Sequence, residues 1–142
     1  MSWEENERKK EYLNGYRDAK RRENRILEQI QQLRMDKMFP CLQNDDMPHA
    51  HNQTDLSDYA VKLDELMQRL KEEKLEAIKQ YESVYMAINR MEKENEREVL
   101  IRRYINGSKW EKIAIDMGYD YRYTLKIHGK ALNNFEIPQS GQ

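Results

Sequence analysis

Five side chains of the kinds that bind metal ions lie close together in the first half of the sequence. They are Cys41, Asp45, Asp46, His49 and His51. Zinc sites commonly use two pairs of closely spaced ligands, whereas this polar stretch offers one cysteine and one His-x-His pair. The pattern therefore predicts no metal site and no cofactor.

The patterns that catalysis commonly requires are also missing from the sequence. It contains no glycine-rich phosphate-binding loop, and its serine, histidine and aspartate residues form no recognisable nucleophilic arrangement. We therefore predict that the protein is not an enzyme and has no catalytic residues.

Basic and aromatic side chains near the C-terminus offer a different chemistry, which is contact with nucleic acid. Helical spacing in residues 120–135 turns one stripe inward: Thr124, Ile127, Ala131, Leu132 and Phe135. The side chains left outside are Tyr121, Arg122, Tyr123, Leu125, Lys126 and Lys130. Arginine can bond guanine O6 and N7 together, lysine reaches guanine or phosphate, and tyrosine can contact a thymine methyl group or a phosphate. Lys130 and Lys109 are candidates for phosphate contact.

The charge of the C-terminal segment gives this interpretation modest support. Residues 96–135 contain eight basic and five acidic side chains, a balance of +3, whereas the whole 142-residue chain has a net charge of −1. Positive charge on the segment favours a phosphate-bearing partner.

The elements that position these residues are predicted to be helices. Hydrophobic residues make up 38% of the chain and charged residues 36%, with few strand formers, which indicates an all-α protein. Two apolar stripes recur at alternating spacings of four and three. The first contains Tyr12, Tyr16, Ala19, Glu23, Ile26, Ile30 and Leu33. The second contains Leu56, Ala60, Leu63, Met67, Leu70, Lys74, Ala77, Tyr81, Val84, Ile88 and Met91.

These stripes predict a long antiparallel, coiled-coil-like hairpin, with pairing to other chains as the alternative. The predicted boundaries are a first long helix at 1–38, a loop at 39–54, a second long helix at 55–95, a helix-turn-helix module at 96–135 and a disordered tail at 136–142. We expect a homodimer because the first stripe is too short to cover the second. Tyr81, Val84, Tyr85 and Ile88 are the expected zone of that cover.

Short helices with clear stop and start signals are predicted in the C-terminal module. Asn106-Gly107 and Gly118 end helices, and Asp120 begins the last one. Ser108 and Glu111 have the spacing of a capping box. A helix of about eight residues between glycine turns, followed by a longer helix, is the layout of a helix-turn-helix.

Residues 97–135 resemble the fourth conserved region of sigma-70-family factors. The matching positions are Arg97-Glu98, Val99-Leu100, Arg103-Tyr104, Ile113-Ala114, Gly118, Ile127, Ala131-Leu132 and Phe135. The combination with long helices is similar to small phage and prophage regulators of the ArpU and RinA types. The resemblance implies binding of double-stranded DNA, with Tyr121, Arg122 and Lys126 in the base-reading positions, and it extends to contact with RNA polymerase.

The resulting hypothesis is a cytoplasmic, phage- or prophage-encoded transcriptional regulator that reads the major groove with its last helix. The alternative is a non-enzymatic coiled-coil adaptor or assembly protein whose helix-turn-helix-like end docks protein. No apolar run approaches the roughly 20 residues of a membrane span, so no membrane partner is expected.

Overall fold

The structure, a computed structural model, describes residues 3–38 and 53–139, and all regular elements in these ranges are helices. In chain order they are α1 (Trp3–Leu13), α2 (Gly15–Met38), α3 (Gln53–Asn89), α4 (Glu94–Leu100), the π-helical segment Ile101–Ile105, α5 (Trp110–Met117) and α6 (Tyr121–Asn134). The predicted all-α class is therefore confirmed. None of the described helices combines the length and the apolarity that a membrane span requires.

The first long helix predicted for residues 1–38 is divided in the structure. α1 ends at Leu13 and α2 begins at Gly15, with Asn14 between them. A Cβ atom at Gly15 would meet the side-chain amide of Gln80, the flexible end of a side chain that can turn aside. The predicted second helix, 55–95, is found as Gln53–Asn89, and most of the predicted loop lies outside the described residues.

The chain divides into two compact units, of which the first described here contains residues 20–76. Side chains of α2 and α3 form its apolar cluster: Ile26, Ile30, Leu66 and Leu70, with Leu33 and Leu63 packed against it. Arg22 Nε donates to Glu73 Oε2 at 3.1 Å.

The apolar stripe predicted for the first long helix is confirmed in its central part. Ala19, Glu23, Ile26 and Ile30 are buried, and Leu33 is half-buried. The carboxylate of Glu23 accepts a bond from Lys20 Nζ at 2.7 Å. A buried carboxylate needs such a partner because desolvation without one is costly.

The stripe predicted for α3 is wrong in part of its register. Four of its positions in the 20–76 unit are exposed: Leu56, Ala60, Met67 and Lys74. Leu66, which the stripe omitted, is buried. Leu66 and Met67 are adjacent and both apolar, so spacing alone does not choose between them. Leu66 is buried because α2 packs against the side of α3 that carries it.

The second unit contains residues 1–19 and 77–142, and its core joins α1, the end of α3, α4, the π-helical segment and α6. The core cluster is Leu13, Val84, Ala87, Ile88, Met91, Leu100, Tyr104, Ile105, Ala131, Leu132 and Phe135. Val84 and Ile88 of the zone expected to need cover are fully buried in this core by residues of the same chain. Tyr81 and Tyr85 of the same predicted zone are exposed and stack at 5.5 Å between ring centroids.

Both glycines predicted to end helices in this unit have the left-handed conformation. Gly107 has φ +71° and Gly118 has φ +75°, values that a residue with a Cβ atom adopts at a cost. Gly118 terminates α5, and its amide and that of Tyr119 bond to carbonyls of the last turn.

The capping box predicted at Ser108 and Glu111 is not formed. α5 begins at Trp110, and its N-cap is Lys109, which makes no side-chain capping bond. Ser108 instead closes the preceding helix: its amide donates to the Arg102 carbonyl at 2.9 Å, as the wider π-helical turn allows. The serine is therefore one residue too early to cap α5.

Candidate nucleic-acid interface

The start of α6 is fixed by Asp120, as the sequence predicted. Its carboxylate accepts a hydrogen bond from the Tyr123 amide at 2.7 Å, which satisfies one of the free donors of the first turn. The hydroxyl of Thr124 donates to the Asp120 carbonyl at 2.9 Å. The first turn of α6, which carries Tyr121 and Arg122, is consequently held in a defined conformation.

The other end of α6 is held by side chains from two further helices. Lys9 of α1 is buried, and its ammonium donates to the Leu132 carbonyl at 2.8 Å. A cation at this position interacts favourably with the negative, C-terminal end of the helix dipole. Asn134 Nδ2 donates to the buried carboxylate of Glu96 in α4 at 2.9 Å. α6 is thus tied down at both ends.

The two faces of α6 are divided as the sequence predicted. The inward residues, Thr124, Ile127, Ala131, Leu132 and Phe135, are all buried. The outward residues, Tyr121, Arg122, Tyr123, Leu125, Lys126 and Lys130, are all exposed. Arg122, Lys126 and Lys130 follow one another at intervals of four, so the helix brings them to one side. Lys109 is also exposed, but it precedes α5 and lies off this helical face.

Other cations of the C-terminal module are engaged within the protein. Arg97 donates to the carbonyls of residues 91 and 92, and Arg102 bonds Glu98 at 2.7 Å. Lys112 pairs with Asp116 at 2.7 Å. The hydrogen bond from Lys112, together with the nearby charges of Lys112 and Arg102, lowers the pKa of Asp116.

Four cations of the module differ from these. Within the described part of the chain, no ion pair or side-chain hydrogen bond engages Lys109, Arg122, Lys126 or Lys130. All four are exposed. Within the module, the positive charge that remains free to meet an anionic partner therefore lies on the outward side of α6 and at the start of α5.

Trp110 packs against neighbouring side chains of the module. Its ring meets that of His128 edge-on, with centroids 4.5 Å apart, and the Arg103 guanidinium lies 4.6 Å from the indole centroid. Cation–π contacts of this kind hold both groups in place. The tryptophan is half-buried, with its ring against protein groups.

His128 connects α6 to Tyr104 and Trp110. The Tyr104 hydroxyl and His128 Nε2 are 2.7 Å apart. Burial lowers the pKa of His128 to about 4, helped by the positive charges of Lys10 and Arg103. Burial also raises the pKa of Tyr104 to about 12. At neutral pH the imidazole is uncharged and can accept the hydroxyl hydrogen.

The lowered pKa predicts that acid destabilises the folded protein through His128. The unfolded chain takes up a proton near pH 6.5 and the folded chain near pH 4, so stability falls as the pH drops through this window. The expected loss is about 2 kcal/mol after allowance for partial exposure. His128→Gln keeps a hydrogen-bond acceptor but does not titrate. Between pH 7 and pH 4 the variant should therefore lose about 2 kcal/mol less stability than the wild type. Urea unfolding at both pH values measures the difference, and equal losses in both proteins would contradict the assignment.

Sequence reasoning did not find Arg103 or His128 as parts of the support for α6. His128 borders the inward stripe of α6, which is a weak signal of partial burial. The stretch from Cys41 to His51, for which no metal site was predicted, lies outside the described residues. Among the described residues, no group of three or more histidine, cysteine, aspartate or glutamate side chains could hold a metal ion.

Comparison with family models, with curated proteins and with solved structures finds no match to this chain. The geometry of α5 and α6 and the chemistry of their exposed side chains are therefore the basis for a functional proposal.

Proposed function

We propose that the protein is a DNA-binding transcriptional regulator that reads the major groove with α6. Arg122 and Tyr121 would contact base edges from the first turn of the helix, and Lys126 would reach guanine or phosphate. Lys130 and Lys109 would contact phosphates. The protein acts without catalysis or cofactor. Its site of action is the bacterial cytoplasm, and the resemblance to sigma region 4 suggests a phage or prophage origin.

The observation that carries the proposal is the group of exposed cations without protein partners. Structural cations of the module pair with Glu98, Asp116 or backbone carbonyls, whereas Arg122, Lys126 and Lys130 point outward from one helix. Keeping three like charges on one face gains nothing for folding. A phosphate-bearing partner would offset their repulsion, and the helix that carries them is anchored at both ends.

The arrangement of helices supports this reading. α5 has eight residues, residues 118–120 form the turn, and α6 has fourteen residues, which is the order and size of a helix-turn-helix. We propose that this module is sigma-region-4-like. Contact with RNA polymerase, which the sigma-like resemblance implies, would use surfaces of the module other than the outward face of α6.

We further propose that α2 and α3 form a long antiparallel hairpin that precedes the module. The packing of Ile26 and Ile30 against Leu66 and Leu70, and the Arg22–Glu73 ion pair, support that arrangement in the 20–76 unit. The hairpin would serve as the assembly element, because a single small module buries too little surface for specific DNA affinity.

Two single substitutions test base and phosphate contact separately. Arg122→Ala should cost roughly 1–3 kcal/mol and relax specificity at one base pair. Lys130→Ala should weaken binding to all sequences about equally. Each variant is used to retain DNA from fragmented bacterial and phage genomes, and sequencing of the retained DNA separates the two effects. Lys62→Ala, at an exposed position of α3, is the control. Unchanged retention by both variants, with helix content intact by circular dichroism, would refute the assignment.

A homodimer is part of the proposal, because operators are commonly read as paired half-sites. Large apolar side chains of α3 remain exposed in the unit that contains the module: Ile78, Tyr81, Tyr85 and Met86. A second copy would cover them. Sedimentation equilibrium at micromolar concentration should give about twice the chain mass of 17.3 kDa, and a single-chain mass at every loading would exclude the dimer.

An adaptor function is the second candidate, favoured by apolar groups near the same face. Ile115 of α5 is 79% exposed, and Leu125 of α6 is also exposed. Exposed aliphatic groups of this kind suit a protein partner. Binding that falls steeply with salt supports DNA, whereas salt-insensitive association supports the adaptor.

A further inference from the structure

Gly129 lies in the interior of α6, where its backbone has no need of glycine. The positive φ values in the described residues belong to Gly107 and Gly118, so Gly129 has an ordinary helical conformation. A Cβ atom built on Gly129 would meet no atom within 4 Å. Neither backbone conformation nor internal packing therefore calls for glycine at this position.

Glycine at such a position has a cost for folding. In a helix interior it lowers the folding equilibrium constant about two- to five-fold relative to alanine, because the unfolded chain has more freedom to lose. An external partner that must approach the helix backbone closely would account for the residue. Omission of the side chain lets a neighbour come about 1.5 Å closer to the helix axis.

Two cations lie along one side of the glycine on the outward face, Lys126 about 60° and Lys130 about 100° around the helix from it. Lys126 lies three residues before it and Lys130 directly after it, and both are exposed without an ion pair in the described part of the chain. Asn133, one turn further on, is exposed as well. We name the space above Gly129, between Lys126 and Asn133, the Gly129 gap. Its surroundings favour an anionic occupant.

The position of the gap along α6 identifies that occupant. Gly129 follows Arg122 by seven residues, which is about 10 Å along a helix axis. The major groove is about 12 Å wide. When the first turn of α6 reaches the base edges, a residue at this distance stands beside the wall of the groove, where the sugar-phosphate strand runs.

We propose that the Gly129 gap is where α6 makes its closest approach to the DNA backbone, with Lys126 and Lys130, which lie along one side of the gap, binding the same phosphate. This inference rests on the proposed DNA-binding function and adds an affinity-determining position that carries no side chain. Substitution at Gly129 should therefore act on folding and on DNA binding in opposite directions.

The test uses the full chain and a fluorescein-labelled 30-base-pair duplex of random sequence, because a phosphate contact does not depend on sequence. Gly129→Ala should raise the folding equilibrium constant about two- to five-fold. It should also weaken duplex binding about ten-fold, the equivalent of one charge-assisted hydrogen bond. Gly129→Val, with a larger side chain, should weaken duplex binding further.

Matched variants separate the possible outcomes. Ser57→Ala on α3 also favours helix formation at an exposed site and should leave duplex binding unchanged. If Lys109→Ala weakens binding while both Gly129 variants bind as the wild type, the gap proposal is overturned and the DNA-binding function stands. If the wild type does not bind the duplex, both the gap proposal and the DNA-binding function are overturned. Loss of self-association in Gly129→Ala with duplex binding retained would assign the gap to a second copy and overturn the proposal.

Discussion

Replacement of Arg122, Lys126 and Lys130 together with alanine is expected to lower affinity for duplex DNA about a thousand-fold. Each of these exposed cations can give a charge-assisted hydrogen bond of about 1.5 kcal/mol, and three such contacts amount to about 4.5 kcal/mol. The fold should remain intact, because none of the three has an ion pair or side-chain hydrogen bond in the described part of the chain. Fluorescence anisotropy with a labelled duplex measures the loss.

A second triple variant controls for the change in net charge. Lys62, Lys71 and Lys79 are exposed on α3, and their replacement with alanine removes the same charge from a different helix. This control should bind DNA with nearly the affinity of the wild type. Equal losses in the two triple variants would mean that overall charge, and not the face of α6, determines binding.

Phe135→Ala is expected to cost about 3–5 kcal/mol of stability, because it removes a large side chain from a closed core. Phe135 is fully buried in the cluster that also holds Leu13 and Leu100, and its ring lies 6.0 Å from that of Tyr12. The substitution also weakens the connection between α1 and the end of α6. Urea unfolding followed by circular dichroism measures the change.

Phe135→Leu provides the graded comparison for this prediction. It keeps most of the buried volume and should cost less than about 1.5 kcal/mol. Tyr123→Ala, which changes an exposed aromatic residue on the same helix, should have a still smaller effect on unfolding. A loss below 1 kcal/mol in Phe135→Ala would show that the core is not closed around this ring.

The buried and exposed sides of α6 could be predicted from the sequence because its local signals agree. Asp120 caps the helix, and Gly118 ends the preceding one. Thr124, Ile127 and Ala131 repeat at helical spacing and are buried together. The same agreement fixed the outward placement of the candidate DNA-binding side chains. Their partner remains a proposal.

The register of α3 and the start of α5 depend on tertiary contacts that local patterns do not contain. Leu66 and Met67 fit a heptad equally well until α2 packs against one of them. Ser108 has the spacing of a cap, but its amide is taken by the π-helical turn before it. His128 becomes buried through Trp110 and Tyr104, which no pattern within α6 reveals.

The salt dependence of duplex binding tests the central claim most directly. Each phosphate neutralised contributes a slope of about −0.9 to the logarithm of the binding constant against the logarithm of salt concentration, so the two phosphates assigned to Lys109 and to the Lys126–Lys130 pair predict about −1.8 per chain. The measurement is a titration of the wild-type protein with a labelled duplex at several salt concentrations. A linear fall near this slope supports α6 as a DNA-binding surface. A slope near zero, or no binding at low salt, would contradict it.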